Sequence, residues 1–302
     1  MLAPMLSAFP SHPVQRNGVT LHTRIGGEGP ALLLLHGHPQ SMAMWHRVAP
    51  ALARHFTLVL MDLRGYGDSA RPSADAAHLN YSKREMALDA LAVMAHHGFA
   101  HFDVLAHDRG ARVAHRLAAD HPAAVRRLML LDIAPTLAMY AQTGEAFARA
   151  YWHWFFLIQP SPLPEALIDA DPARYVRSVM GSRHAGLGAF DPGALAEYER
   201  CAVQPGTAVA ICEDYRASAS VDLDHDRADI AADRRLPQPL RVLWGEHATV
   251  ARCFDVLALW RERAANVTGR SLPCGHYMAE EAPEQLSAEA LSFFQSDSKE
   301  QP

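Results

Sequence analysis

Five short apolar runs, each bounded by turn-forming residues, constrain the fold of this chain more than any other feature. They are Ala31–Leu35, Phe56–Met61, Phe102–Leu105, Leu128–Leu131 and Leu240–Trp244. Continuous apolar runs of this length are typical of strands that are buried on both faces of a parallel sheet. Helical patterns lie between them, and the clearest is Tyr81–Gly98, which ends on a glycine. The alternation predicts an α/β fold with a mostly parallel, doubly wound sheet.

The alternation stops between about residues 136 and 237. This segment is rich in aromatic residues and prolines, and the strand pattern resumes only at Pro239. Ligands bind at the carboxyl ends of the strands in open α/β sheets, where an inserted segment would cover them. We therefore predict a core of residues 1–135 and 238–302, with a mostly helical cap of residues 136–237 inserted in it.

The composition argues against several classes of function. The chain has 302 residues, 49% of them hydrophobic, and a net charge of −5 without any run of Lys or Arg, so no nucleic-acid surface is expected. Its longest apolar runs fall far short of the about 20 residues that a membrane span needs. The amino-terminal stretch lacks the features of a signal peptide, and the four cysteines show no CxxC spacing. We expect a cytoplasmic protein without membrane or nucleic-acid partners.

The stretch "LAHDRGAR" follows the apolar run Phe102–Leu105 and places Asp108 on a sharp turn between a strand and a helix. Enzymes of this architecture carry their nucleophile at such a turn. A carboxylate there can attack an sp³ carbon and form an ester that water then cleaves. The simpler interpretation of Asp108 is a helix N-cap, a role that aspartate fills well.

Asp132 and His276 are the candidate partners of Asp108. His276, in "LPCGHYM", follows a late apolar segment and is the best candidate for the base that activates water. Asp132 ends the run Leu128–Leu131 and could orient this histidine, and Glu246 in "WGEH" is the alternative acid. Each residue alone has an ordinary structural explanation. Their joint order along the chain and their strand contexts favour catalysis.

The stretch "LLLLHGHPQ" runs from a strand directly into a His-Gly turn. A loop at this position can donate one backbone N–H to an oxyanion, and the residue after the nucleophile donates another. We therefore predict an oxyanion hole formed by the backbone N–H groups of His38 and Arg109. The alternative interpretation of the His-Gly motif is a tight turn without a catalytic role.

With these segments in their observed order, together with "DLRGYGDS", "AYWHWFFLIQP" and "CEDYRA", the chain resembles fluoroacetate dehalogenases. These are α/β-hydrolases that convert haloacetates to glycolate. The resemblance runs from about Leu32 to Pro283, and its most specific parts are the Asp-Arg-x-x-Arg turn and the Trp-His-Trp stretch. It implies Asp108 as the nucleophile, His276 as the base and Asp132 as its orienting acid. It also implies an enzyme without a metal or an organic cofactor, and a possible homodimer.

The resemblance further implies two groups of substrate contacts. Arg109 and Arg112 would clamp the carboxylate of a small anionic haloacid, and His153, Trp154 and Tyr215 from the cap would bind the leaving halide. Two guanidinium groups can hold an anionic substrate against an anionic nucleophile that would otherwise repel it. Fluoride is a poor leaving group, so donors already in place must meet its developing charge.

Two residues depart from the pattern of these dehalogenases. Ala106 stands where a glycine is usual, which predicts a slightly more crowded turn. His38 stands where phenylalanine is common, and a titratable ring there predicts an altered substrate preference or pH profile. Neither departure removes a catalytic group.

Two other functions stay open. An epoxide hydrolase would use the same Asp108 nucleophile and two cap tyrosines. The candidate tyrosines are Tyr140, Tyr151, Tyr175, Tyr198 and Tyr215. The paired arginines argue against an epoxide, because a neutral epoxide gives them no anion to bind. A non-catalytic binding protein is the remote alternative, since such proteins usually lack one triad member and none is missing here. The acidic stretch "VDLDHDRAD" is predicted to be a solvated loop rather than a metal site.

Overall fold

The computed structural model describes residues 5–295, and its centre is a seven-stranded sheet. The nine strands, in chain order, are β1 Val14–Arg16, β2 Val19–Leu21, β3 Thr23–Gly26, β4 Ala31–Leu35, β5 Thr57–Met61, β6 Phe102–His107, β7 Val125–Leu131, β8 Leu236–Gly245 and β9 Ala264–Leu272. The sheet has the order β3-β5-β4-β6-β7-β8-β9, and β1 and β2 form a separate hairpin. Among the described strands of the sheet, only β3 runs antiparallel to its neighbour, which confirms the predicted mostly parallel sheet.

The five apolar runs of the sequence occupy the five interior positions of this sheet, from β5 to β8. β4 has the bounds predicted for it, and all five of its residues are buried. β6 is buried along its whole length as well. Strands that are covered on both faces need no alternation of polar residues, which is why unbroken apolar runs identify them.

The apolar pattern does not identify the edge strands, β3 and β9. Each has a single neighbour in the sheet, and exposed or half-exposed residues are interspersed along β9. β8 begins at Leu236, two residues before the predicted boundary at residue 238, and contains Pro237 and Pro239. The pairing of β8 with β9 shifts register between Leu236 and Pro239, and prolines fit such irregular positions because they lack the N–H of a regular ladder.

Fifteen α-helices surround the sheet in the described part of the chain. They are α1 Ala49–Leu52, α2 Lys83–His96, α3 Asp108–Asp120, α4 Thr136–Ala141, α5 Glu145–Ala150, α6 Trp152–Leu157, α7 Leu163–Ala170, α8 Pro172–Gly181, α9 Pro192–Ala202, α10 Thr207–Ser218, α11 Val221–Ala231, α12 Thr249–Cys253, α13 Val256–Arg261, α14 Met278–Glu281 and α15 Pro283–Gln295. Short 3₁₀ segments lie at Met42–Arg47, Leu79–Tyr81 and Gly186–Ala189. Within residues 5–295, no helix combines the length and the apolar character needed to cross a membrane.

The segment between β7 and β8 contains α4 to α11 and, in its described residues, no strand. The cap boundaries of 136–237 remain a prediction. The acidic stretch that was expected to be a solvated loop is instead helix α11, so that expectation is wrong. Asp222 accepts a hydrogen bond from the backbone N–H of Lys83, and Asp229 forms an ion pair with Arg116. The acidic residues form a helix because its inner carboxylates bind basic and polar groups of the core.

The close approach of β4 to α3 positions the Asp108 turn. The N–H of Gly110 donates to the carbonyl of His36 at 2.9 Å, and a Cβ on Gly110 would lie 2.4 Å from that oxygen. Only glycine therefore fits there. Ala106, the residue expected to crowd the turn, is fully buried inside β6, where it pairs with Leu35 and Leu130.

Candidate active site

The side chain of Asp108 is fixed against the His-Gly loop that follows β4. Asp108 is the first residue of α3, is buried, and has a φ of +45°, a left-handed conformation that aspartate tolerates better than most residues. Its Oδ1 accepts a hydrogen bond from the backbone N–H of His38 at 2.9 Å. A Cβ on Gly37 would lie 2.5 Å from the Cβ of Asp108. The N-cap of α3 is His107, so the carboxylate of Asp108 binds a separate loop instead of capping its own helix.

Asp132 and His276 meet at the carboxyl ends of β7 and β9. Nδ1 of His276 lies 2.6 Å from Oδ2 of Asp132, and Oδ1 of Asp132 accepts from the backbone N–H of Gly245 at 3.0 Å. Asp132 also has a left-handed φ, of +50°. Strained backbone of this kind is frequent at functional sites. Glu246, the alternative acid, is exposed, so the geometry brings Asp132 to the histidine.

Positive charge surrounds the Asp108 carboxylate. Burial by itself would raise the pKa of Asp108, but His276, Arg109 and Arg112 together hold it well below its usual range. Opposite charges nearby favour the ionised form of a carboxyl group. Asp108 is therefore a carboxylate, and not a carboxylic acid, throughout the neutral pH range.

Arg109 is oriented by Asp214. This residue lies in the stretch "CEDYRA", and the sequence alone predicted no role for it. Nε and Nη2 of Arg109 donate to the two carboxylate oxygens of Asp214 at 2.9 and 2.7 Å, and Nη2 also donates to Ser218. The guanidinium lies 4.1 Å from the ring centroid of Tyr215. Its Nη1 is buried and has no hydrogen-bond partner among residues 5–295. One nitrogen therefore stays available for a ligand.

Asp214 belongs to a buried charge network that joins α10 to the core. Besides Arg109 it contacts the ammonium of Lys83, and it accepts from the hydroxyl of Tyr66 at 2.7 Å. Burial opposes its ionisation, but Arg109 and Lys83 lower the pKa of Asp214 below its usual range. The local sequence gives no distinct signal for this role, because Glu213 and Arg216 lie beside Asp214 on the same helix.

Arg112 is the second buried guanidinium at the site. Its Nη1 donates to Thr136 Oγ1 at 2.8 Å and to the carbonyl of Ala134 at 3.2 Å, and its Cζ lies 4.8 Å from the Trp154 ring. No carboxylate of the described chain forms an ion pair with it, and its Nε has no partner there. Burial, together with the charge of Arg109, lowers the pKa of Arg112. A buried cation is costly. The charge of Asp108 offsets this cost in part, and an anion bound directly to the guanidinium would offset it further.

His153, Trp154 and Tyr215, the predicted halide contacts, come together from α6 and α10. The ring centroid of Tyr215 lies 5.9 Å from that of His153 and 6.3 Å from that of Trp154. Trp154 Nε1 and Tyr215 Oη are buried and have no hydrogen-bond partner in the described part of the chain. Leaving a buried donor unpaired costs about 1–3 kcal/mol, so both groups fit a site whose acceptor is a ligand.

His38 lies among these cap residues. Its ring stacks on His153 at 6.0 Å, its Nε2 lies 3.1 Å from the hydroxyl of Tyr175, and its ring edge contacts Tyr215. Burial lowers the pKa of His38 to about 3. The ring is thus neutral near neutral pH, which argues against a pH effect of His38 and leaves an effect on substrate preference as the prediction.

Tyr151, one of the five tyrosines considered as donors to an epoxide, lies beside the catalytic candidates. Its ring contacts His276 edge-on at 6.3 Å and lies 5.5 Å from His153. The guanidinium of Arg183 covers its other side at 4.2 Å. Neither residue carries a local sequence signal, because their proximity depends on how α6 and the end of α8 pack.

One group of side chains in the described residues could hold a metal ion by distance alone. The ligand atoms of His22, Asp62 and Asp68 lie within 4.8 Å of one another. Oδ1 of Asp62 accepts from the backbone N–H of Met42, and its Oδ2 accepts from the N–H of Asp68 and contacts His22. These oxygens already have partners, so the group is explained by turn structure.

We expect the carbon-attack step to be independent of pH between about 5 and 9. The pKa of Asp108 is lowered, so it is ionised across this range, and burial lowers the pKa of His153 well below its usual value, so that ring is neutral. The measurement is single-turnover halide release by a His276→Asn variant, in which no base contributes. A sigmoidal rise with a midpoint near that of an ordinary histidine would contradict the assignment of charges.

Comparison with known proteins agrees with this architecture. Residues 30–187 match a family model described as the alpha/beta hydrolase fold. The chain is 41% identical to a fluoroacetate dehalogenase from Burkholderia sp over 98% of this chain and 96% of that protein. It is 33% identical to a soluble epoxide hydrolase from Corynebacterium sp. over 96% and 99% of the two chains. A crystal structure of an alpha/beta hydrolase from Nostoc sp PCC 7120 superposes with a TM-score of 0.93 at 51% identity, covering 97% of this chain and 99% of that one.

Proposed function

The chain belongs to the α/β-hydrolase family and is similar over almost its whole length to a fluoroacetate dehalogenase, and from this premise we propose that it hydrolyses haloacetates to glycolate and halide. One observation carries the proposal. Two buried guanidinium groups lie at an ionised Asp108, and Arg112 has no carboxylate partner among the described residues. A small carboxylate with a leaving group on its α carbon suits such a site.

In the first step the substrate carboxylate binds Nη1 of Arg109 and the guanidinium of Arg112. An Asp108 oxygen attacks the α carbon, the carbon–halogen bond breaks, and the halide leaves with the bonding electrons. Trp154 Nε1 and Tyr215 Oη, two of the buried donors without partners in residues 5–295, would bind the departing halide, with His153 beside them. The product of this step is an ester between Asp108 and glycolate.

In the second step His276 takes a proton from water, and the resulting hydroxide attacks the carbonyl carbon of the Asp108 ester. Asp132 orients the imidazole through its 2.6 Å contact. Negative charge develops on the carbonyl oxygen, where the N–H of His38 already donates to Oδ1 in the free enzyme. Glycolate then leaves with the oxygen that attacked the substrate, and this oxygen takes the proton back from His276. The oxygen from water stays on Asp108, whose second proton passes to solvent.

An epoxide hydrolase is the second candidate, and one observation favours it. The hydroxyls of Tyr140 and Tyr215 are both buried without a hydrogen-bond partner in the described chain, and both rings contact Trp154, at 5.0 and 6.3 Å. Two tyrosine donors could protonate an epoxide oxygen. That function gives the guanidinium of Arg112 no substrate carboxylate to bind, which is why we rank it second.

The deciding experiment compares fluoroacetate, chloroacetate and a neutral epoxide with the purified protein. Halide release is followed by ion chromatography, and diol formation is followed by mass spectrometry. Release of fluoride or chloride without diol formation supports haloacetate hydrolysis. Diol formation without halide release would overturn the proposal in favour of epoxide hydrolysis.

Replacement of Arg112 by lysine is expected to lower kcat/KM for haloacetates by about 10- to 100-fold, the loss of one or two charge-assisted hydrogen bonds. Lysine keeps the positive charge but loses the planar fork that can bind a carboxylate with two N–H groups. Steady-state halide release measures the effect. Arg116→Lys is the matched control, because Arg116 lies one turn further along α3 and pairs with Asp229. Equal effects of the two substitutions would remove Arg112 from the substrate contacts.

A further inference from the structure

A cavity of about 250 Å³ lies directly beside His276, outside the site described above. Four basic side chains line it in addition to His276, namely Arg183, His184, His247 and Arg252, and no carboxylate is among its lining residues in the described chain. A concave surface lined by side chains of one charge sign focuses the electrostatic field. Here the positive charges would raise the local concentration of small anions. None of the steps proposed above uses this cavity.

The two arginines of the cavity are not neutralised by ion pairs within residues 5–295. Arg183 donates from Nη1 to the carbonyl of Ala150 at 3.3 Å, and its buried Nε has no hydrogen-bond partner there. Arg252 is exposed and donates to Thr249 Oγ1 at 3.2 Å. Their positive charges are therefore available to a ligand in the cavity.

The nearest carboxylates have other partners. Glu281 accepts hydrogen bonds from the backbone N–H groups of Gly275 and Tyr277 at 2.6 and 3.0 Å. Asp132 is bound to His276 and to the N–H of Gly245. The oxygens of Glu281 are thus bound to the backbone of the loop that carries His276, and those of Asp132 to the imidazole and to the last residue of β8.

His184 and His247 form another wall of the cavity. Their rings stack with centroids 4.2 Å apart and an interplanar angle of 27°. An imidazole offers N–H donors to an anion even when it is neutral. The wall is built tightly, because a Cβ on Gly275 would lie 2.9 Å from the Cβ of His184.

A single aromatic ring connects this cavity to the halide contacts. Tyr151 lies under Arg183 at 4.2 Å, and the same ring contacts His276 at 6.3 Å and His153 at 5.5 Å. The Tyr151 ring would thus separate a ligand in the cavity from the halide contact His153. The volume would hold a small carboxylate with several waters, since each water occupies about 30 Å³.

We infer that the cavity is an outer binding site for small monocarboxylate anions, held by Arg183 and Arg252, from which haloacetate reaches Asp108. Anion binding by the cavity does not depend on the chemistry at Asp108, whereas its role in delivering substrate rests on the proposed function. Uncompensated cations within a Debye length of about 8 Å raise the local concentration of anions.

Fluorine NMR with fluoroacetate and a full-length Asp108→Asn protein tests this inference, because no turnover consumes the probe. Two classes of bound fluoroacetate are expected, one inner and one outer. The double substitution Arg183→Gln/Arg252→Gln is then added to the Asp108→Asn protein. It should lower the affinity of the outer class for fluoroacetate at least about tenfold, because charged hydrogen bonds are lost, while the affinity of the inner class is unchanged. The control, Arg54→Gln/Arg261→Gln, removes the same net charge at exposed positions preceding β5 and β9.

Arg252→Gln alone keeps the inference testable if the double variant does not fold, because Arg252 is exposed. It should lower the affinity of the outer class for fluoroacetate about two- to fivefold, as expected for the loss of one solvent-exposed charge. A single class of bound fluoroacetate that does not depend on Arg183 and Arg252, or two classes that respond equally to the cavity and control substitutions, would overturn the outer site. Loss of the inner class in the Asp108→Asn protein, with an outer class that still depends on Arg183 and Arg252, would support the cavity. Absence of halide release from the wild-type enzyme would count against haloacetate hydrolysis instead.

Discussion

Replacement of His276 by asparagine is expected to stop the reaction after each active site has released one halide ion. Asp108 can still attack the substrate, because its charge is also supported by Arg109 and Arg112. The ester cannot be hydrolysed at the normal rate, because Asp132 then has no imidazole to orient. Steady-state turnover should fall by about 10²- to 10⁴-fold, the usual contribution of a positioned general base.

Mass spectrometry of the His276→Asn protein after incubation with a haloacetate gives the direct measurement. The intact protein should gain one carboxymethyl group, and peptide mapping should place it on Asp108. The control is the double variant Asp108→Asn/His276→Asn, which should show neither a burst of halide nor a mass increase. An adduct on another residue, or a burst that survives in the double variant, would remove Asp108 from the role of nucleophile.

Replacement of Asp214 by asparagine is expected to lower kcat/KM for haloacetates by about 10²-fold, the loss expected when a reacting group is displaced by about 1 Å. Asp214 is a positioning residue that acts through Arg109, because it binds both Nε and Nη2 of that guanidinium. Without the carboxylate, Nη1 no longer has a fixed direction toward the substrate. The effect should fall mainly on KM, since the clamp binds the substrate carboxylate before and during the attack.

Stability must be separated from positioning in this variant. Removal of Asp214 leaves both Arg109 and Lys83 buried without their shared carboxylate, and breaking such a pair typically costs about 3–5 kcal/mol in free energy of unfolding. The double variant Lys83→Met/Asp214→Asn removes one of the two cations that lose Asp214, although Lys83 also has Asp222 within 3.5 Å. Urea unfolding should show partial recovery of stability, while kcat/KM stays low. Recovery of kcat/KM together with stability would show that Asp214 acts only on the fold.

Local sequence patterns predicted the interior of the sheet well and its edges poorly. β4 was predicted with its observed bounds because its five residues are buried on both faces. β9 was missed because an edge strand alternates exposed and buried positions and resembles a loop in composition. The acidic helix α11 was mistaken for a loop, because the pairing of Asp229 with Arg116 depends on a contact between residues 113 positions apart.

The residues of the candidate site divide in the same way, into those that local motifs predict and those whose role depends on tertiary contacts. Motif spacing was enough to select Asp108, Asp132 and His276, and the structure brings the last two within 2.6 Å. Asp214 could not be assigned from spacing, although its helix was singled out, because its function consists of a contact with Arg109 across 105 residues.

By itself, the sequence determined the α/β sheet and the sharp turn at Asp108, and it supplied the candidate residues for the dehalogenation that we propose. These features depend on local backbone preference and on residue type, which short stretches of chain express. Only the tertiary structure decided which donors have partners, namely that Asp214 occupies two nitrogens of Arg109 and that Trp154 Nε1 and Tyr215 Oη stay unpaired within residues 5–295. Packing decides which residues far apart in the chain become hydrogen-bond partners, and no single segment of the sequence determines that packing.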